Sequence, residues 1–157
     1  MFKMIVELTQ EESLVVQGPA RVRVVSGEAS VFGAPLGPGE SLSVPSYRSV
    51  PVEASGRCKV DLEFEGGASF KKFVGSPIPQ EWRDLSKELL EGEAKRLMVV
   101  GATDSGKSSL CLFLSNALVR EGESVSFVDL DVGQSDLGPP TTIGVSRIDS
   151  PLFSLQD

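Results

Sequence analysis

The sequence predicts a small all-β domain, a sandwich or barrel, followed by the beginning of an α/β domain. Three observations predict it. Residues 1–75 alternate apolar and polar at period two, in short runs broken by Gly, Pro and Ser. Residues 96–100 are a continuous apolar run, and a helical apolar stripe follows them after a glycine-containing loop. Composition is that of a folded globule, with 40% hydrophobic and 24% charged residues.

Within the β-rich part, Met4–Leu8, Leu14–Val16, Arg21–Val25 and Ser30–Phe32 read as strands. Gln17-Gly18-Pro19, Ser26-Gly27-Glu28 and the stretch from Gly33 to Gly39 read as turns. Cys58–Glu65 alternates most clearly. Cys58, Val60, Leu62 and Phe64 are expected on the buried side, with Lys59, Asp61, Glu63 and Glu65 on the wet one. Such strands at about ten-residue spacing suggest a sandwich or barrel. No catalytic constellation occurs here, so residues 1–75 are expected to pack or to bind a protein partner.

Gly75-Ser76-Pro77-Ile78-Pro79 opens a linker over 76–95. It contains an amphipathic helix that starts after Pro79 and stops at Gly92. Trp82 shares the helix's apolar stripe with Leu85 and Leu89, which makes it a core anchor rather than a platform for a base. The second domain is then 96–157.

Several chemistries are excluded. The chain has no histidine, and its two cysteines, Cys58 and Cys111, are far apart in sequence. Both are expected to be reduced core residues, with neither a zinc site nor a His-based triad. A net charge of −7 has the wrong sign for binding nucleic acid through bulk charge. The longest apolar runs are too short to span a bilayer and no leader is evident, so a cytoplasmic protein with no membrane partner is expected.

After the apolar run Arg96–Val100 comes Gly101-Ala102-Thr103-Asp104-Ser105-Gly106-Lys107-Ser108, which fits the phosphate-loop pattern G-x-x-x-x-G-K-[ST] without departure. A helix follows, with its stripe at Leu110, Phe113/Leu114 and Ala117/Leu118. The pattern has a physical basis. Gly101 and Gly106 let successive N–H groups converge on a phosphate, and the helix start adds its positive end. Lys107 supplies a point charge to the β- and γ-oxygens, and the Ser108 hydroxyl is suited to magnesium. The α/β part is therefore expected to be the start of a P-loop NTPase domain that holds ATP or GTP with Mg2+.

Ser124–Val128 reads as the next strand and runs into Asp129-Leu130-Asp131-Val132-Gly133-Gln134. Alternation puts Asp129 and Asp131 on one side of the extended chain, facing the loop. There they are placed to hold magnesium through water or to take a proton from an attacking hydroxyl. The bland alternative is that one of them caps a turn.

The phosphate loop continued through Ser109-Leu110-Cys111, the block Val128–Gln134, and Pro139-Pro140-Thr141-Thr142-Ile143-Gly144 together resemble the Clp1/Grc3 family of polynucleotide 5′-hydroxyl kinases, most of all its archaeal members. The resemblance covers about 96–144, and the β-rich start resembles the family in architecture alone. It implies transfer of the γ-phosphate of ATP or GTP to the 5′-hydroxyl of RNA or DNA. The nucleotide would be held by Gly101 to Ser109 with Gln134. Lys107 and Ser108 would hold phosphate and magnesium, Asp131 would be base or magnesium ligand, and Asp129 a support. Thr142 matches the family's P-x-T threonine, whereas Thr141 stands where many members have glycine.

A complete domain of this kind needs about 150 residues, and 96–157 is much shorter, so the chain is expected to be a fragment without the lid arginines and C-terminal part. Two other classes stay open: a P-loop GTPase or ATPase switch, and a non-catalytic ATP-binding scaffold in RNA processing. Against the switch, Gly133 follows Asp131 one residue too early for D-x-x-G, and no N-K-x-D occurs.

Overall fold

The computed structural model describes residues 2–131, 137–139 and 141–155. The chain divides into two compact units, Met1–Pro79 and Gln80–Asp157.

Among the described residues, nine strands build the first unit. They are β1 (Phe2–Leu8), β2 (Glu12–Gln17), β3 (Ala20–Ser26), β4 (Ala29–Val31), β5 (Ala34–Leu36), β6 (Ser41–Val44), β7 (Ser49–Ala54), β8 (Cys58–Phe64) and β9 (Ser69–Val74). They form a four-stranded sheet, β1-β8-β3-β6, and a five-stranded sheet, β5-β4-β7-β2-β9. All of these pairings are antiparallel. Alternation dictates what is buried. β3 buries Ala20, Val22 and Val24 and exposes Arg21 and Arg23, while β8 buries Cys58, Val60, Leu62 and Phe64. Leu14, Val16, Val31, Leu36 and Val52 supply the apolar side of the other sheet. The unit is a β domain with one apolar core.

Two expectations need correction. Asp61 is buried rather than wet, although it sits on the polar side of β8. β8 is an interior strand, and its neighbour β1 brings Lys3 within 2.9 Å of Asp61 and 2.8 Å of Glu63. The aliphatic stem of a lysine can cover what its ammonium neutralises. The stretch from Gly33 to Gly39 is also not all turn. Phe32 and Gly33, at φ 47° and 79°, make a tight hairpin corner, and β5 follows at once with Ala34 and Leu36 fully buried. Pro35 is tolerated because β5 is an edge strand. Pro51 lies in the interior strand β7 for a related reason: β4 reaches only Glu53 and Ala54, so the missing N–H of Pro51 faces an unpaired stretch.

The second unit contains α1 (Gln80–Glu91), α2 (Lys107–Arg120), β10 (Val125–Asp129) and β11 (Gly144–Ile148). The ring of Trp82 on α1 lies 6.0 Å from that of the buried Phe113 on α2. Trp82 is thus part of the packing between the helices. α2 is covered nearly all round from Leu112 to Asn116. It ends in a Schellman turn, with Gly122 at φ 87° and the Glu123 N–H donating to the Leu118 carbonyl. β10 and β11 pair antiparallel from Val125↔Ile148 to Asp129↔Gly144.

Arg96–Val100, expected as a strand buried on both faces, is not one here. The run has no regular structure, and Leu97, Met98 and Val100 are 49%, 75% and 82% exposed. An apolar run becomes a buried strand only if neighbours pair with its edges and cover its faces; among the described residues β10 and β11 pair with each other alone. No helix among the described residues is long and apolar enough to cross a membrane.

The core of the β domain sets a stability expectation. Leu62 is fully buried at the centre of β8, so Leu62→Ala should cost about 2–5 kcal/mol through lost transfer and an unfilled cavity. Urea unfolding followed by circular dichroism measures it. A loss below about 1 kcal/mol would mean that the two sheets do not close on that side chain.

Candidate phosphate-binding site

The loop before α2 is bent by two residues with positive φ. Asp104, at 58°, belongs to a residue type that tolerates this region, and Gly106, at 87°, immediately precedes the helix. The Ser105 N–H donates to the Ala102 carbonyl at 3.3 Å, closing a turn. The first helical hydrogen bond runs from the Leu110 N–H to the Gly106 carbonyl. The N–H groups of Lys107, Ser108 and Ser109 therefore have no intrahelical acceptor, and no side chain among the described residues caps them. Three donors and the positive end of a 14-residue helix converge at one point.

Lys107 stays at this loop. Its Nζ donates to the Ala102 carbonyl at 2.8 Å. Lys107 crosses Gly101: a Cβ there would stand 3.6 Å from Lys107 Cγ, an ordinary contact, and 2.7 Å from Ser105 Oγ, which would have to turn aside. The half-buried Ser108 follows on the first turn.

The acids divide. Asp129 ends β10 with its side chain buried, and its Oδ1 accepts the Asp131 N–H at 2.9 Å. That is the turn-capping reading of the sequence, and it bends the chain so that alternation fails: Asp131 is exposed. Asp129 nevertheless lies beside α2. Burial raises the Cys111 thiol above its usual range, and the negative charge of Asp129 raises it further. Cys111 is one helical turn beyond Lys107 and Ser108, so Asp129 faces the loop-proximal part of the helix. Gln134 lies outside the described residues. No group of three or more Asp, Glu or Cys side chains converges among them. Magnesium, which keeps much of its shell as water and substrate oxygens, needs no such cage.

One feature escapes inspection of the sequence. Asn116, fully buried, donates to the Leu152 carbonyl and accepts from the Leu152 N–H, both at 2.8 Å. It clamps the segment after β11 to α2; its one signal is an amide inside an apolar helical stretch. Thr141 has φ 72°, costly for a β-branched residue, while Thr142 Oγ1 donates to the Pro139 carbonyl at 2.7 Å.

Comparison with known proteins then places the segment. Residues 101–157 match the family model described as mRNA cleavage and polyadenylation factor CLP1 P-loop. The phosphate-loop segment is thus similar to that family over residues 101–157. Over 154 residues, 92% of the chain, it is 30% identical to polyribonucleotide 5′-hydroxyl-kinase Clp1 of Xenopus tropicalis, and covers 35% of that protein. Over 92 residues, 57% of the chain, it is 37% identical to a polyribonucleotide 5′-hydroxyl-kinase of Pyrococcus abyssi, and covers 26% of it. The chain thus spans about a third of the length of these Clp1 relatives or less. In fold it resembles Clp1p from a solved complex of wild-type Clp1p with Pcf11p, with a TM-score of 0.71 at 16% identity, over 96% of this chain and 38% of that one.

Two outcomes test the geometry. With Cys58→Ala leaving a single thiol, Cys111 should react with a disulfide reagent at pH 8 more slowly than a free cysteine, because its raised pKa leaves less thiolate. Asp129→Asn should quicken that reaction, and an unchanged rate would place the acid away from the helix. Thr141→Gly should raise stability by about 1 kcal/mol in thermal unfolding by removing backbone strain.

Proposed function

We propose that this chain carries the nucleotide-binding part of a polynucleotide 5′-hydroxyl kinase of the Clp1 family, whose reaction transfers the γ-phosphate of ATP or GTP to the 5′-hydroxyl of RNA or DNA. The observation that carries the reading is the juxtaposition at α2. Unpaired amides and Lys107 gather at its first turn, and a buried carboxylate, Asp129, stands beside its second. Such a site takes a polyphosphate at the amides and keeps an acid within reach of its outer end. The P-loop NTPase start fits this reading, since the loop and helix have the required form.

In this reading the N–H groups of Gly106 to Ser109 bind the β-phosphate oxygens, and the Lys107 ammonium leaves the Ala102 carbonyl for the β- and γ-oxygens. Ser108 and Asp131 would hold Mg2+, which when bound neutralises charge shared by those two phosphates. Alternatively Asp131, exposed at the turn that Asp129 fixes, would take the proton of an attacking 5′-hydroxyl in place of holding the metal. Asp129 acts by holding that turn, and Gln134 stands as a further nucleotide contact. The domain plan is 1–75, 76–95 and 96–157, and the β-rich domain serves a protein partner, in line with the Pcf11p complex of the structural relative.

Among the described residues, Lys107 is the only cation in the loop or the first turn of α2; Arg120 stands at the helix's far end and Arg147 pairs with Asp149. Arginine at the transferring phosphoryl group is commonly worth about 10³–10⁵ in rate. The 157-residue chain is accordingly expected to bind MgATP but to transfer phosphate slowly at most. That same scarcity is what a non-catalytic ATP-binding scaffold would display. Calorimetry on this chain should register MgATP binding, weakened about tenfold or more by Lys107→Ala. Incubating the longer protein with a 5′-hydroxyl oligonucleotide and labelled ATP separates the alternatives: labelled oligonucleotide supports the kinase, free phosphate alone an NTPase switch, and neither a scaffold. Absence of nucleotide binding would overturn all three.

A further inference from the structure

The β domain carries a second concave site, made wholly from its own strands. The inner face of β1 is Phe2, Met4, Val6 and Leu8, paired with Phe64, Leu62, Val60 and Cys58 of β8. Burial falls steadily along it, from Leu8 at 1% exposed through Val6 at 9% to Phe2 at 64%. The core therefore opens at the Phe2 end. There Phe2 stacks on Phe64 (6.4 Å, 21° between planes) and Phe64 on Phe70 of β9 (5.7 Å, 14°). The three rings line a cleft of about 540 Å³ with Gly66, Ala68 and Ser69.

The same end of β1 also has free backbone. β1 is the outermost strand of its sheet, and among the described residues no main-chain hydrogen bond reaches it from the side away from β8. Near Leu8 that edge is guarded by Lys72 of β9, which donates to the Glu7 carbonyl at 3.0 Å and pairs with Glu12 at 2.8 Å. A lysine pointing across an edge blocks further pairing. No such guard covers Phe2–Ile5, where Lys3 is committed to Asp61 and Glu63 and Ile5 is exposed. At the rim, Glu65 lines the cleft with an exposed carboxylate that has no ion pair among the described residues.

We propose that the Phe2–Val6 edge and the phenyl-lined cleft are a docking site for an extended segment of a partner protein. The segment adds to β1 as a strand, places one large apolar side chain against the rings, and sets a lysine or arginine on Glu65. Unpaired N–H and C=O groups are matched by another backbone, and a cleft beside them reads the side chain that this backbone presents. The lone acid selects a cationic flank and disfavours nucleic-acid phosphate. The inference is independent of the phosphate site.

The test uses the 157-residue chain and a fluorescent probe peptide, acetyl-Lys-Val-Phe-Val-Thr-Val-Lys-amide. The expected result is saturable binding that slows amide hydrogen exchange in Phe2–Val6 by about tenfold or more. Phe2→Ser and Glu65→Lys should each weaken binding about fivefold or more, with the unfolding temperature of Glu65→Lys unchanged. Three results would overturn the proposal: no binding, equal binding by a peptide with proline at alternate positions, or displacement of the probe by oligothymidylate. Slowed exchange that depends on the concentration of the chain alone would also overturn it, assigning the edge to self-pairing.

Discussion

α2 begins directly after a residue in the left-handed region, and much of the second unit follows from that constraint. At φ 87° position 106 belongs to glycine, and glycine has no oxygen with which to cap the helix it precedes. A serine or aspartate at an ordinary cap would satisfy one of the first amides and contribute about 1 kcal/mol. Here the first-turn donors have no side-chain cap among the described residues, and the helix must be held by other means. Phe113 against Trp82, the two hydrogen bonds between Asn116 and Leu152, and the turn at Gly122 do so. The helix is fixed along its body and at its C-terminus, while its N-terminus stays chemically open.

Legibility of the β domain tracks how purely each strand obeys period two. β8 alternates most purely and its buried apolar residues follow from the sequence, whereas β1 and β3 each add an apolar residue on the exposed side, Ile5 and Val25. β5 was hidden by Pro35 between glycines and β7 by Pro51. A proline signals a turn unless one knows which edge of the strand is unpaired, and that is a property of the sheet. β9 was hidden because Lys72 points inward to guard an edge, which breaks the pattern that would reveal the strand. Asp61 shows the converse: its position on the polar side was legible, but its burial depends on Lys3, 58 positions earlier in the chain.

At the candidate site the bend and the helix start were legible, because a glycine just before the helix encodes a backbone shape directly, as Gly106 at φ 87° does. The acids were less so. Alternation treats Asp129 and Asp131 as equivalent, yet a two-residue hydrogen bond from Asp129 ends the strand between them and gives one a buried, structural position and the other an exposed one. The strand before the loop was overread for a different reason. Five apolar residues specify a preference for burial, and pairing partners decide whether that preference is met.

Charge sets how the two halves of the site must work. Residues 80–157 contain 13 acids and seven bases, so the second unit repels a polyphosphate at long range. Any affinity for one has to arise at short range, from oriented amides, one ammonium and a metal, where geometry outweighs net charge. The same reasoning explains the position of Asp129. Buried, its carboxylate accepts the N–H of the next turn, and its charge adds to burial in raising the Cys111 thiol. An exposed carboxylate in its place would add to the repulsion at the loop without fixing anything. Asp129 is thus occupied with structure, while Asp131 two residues on stands exposed to solvent.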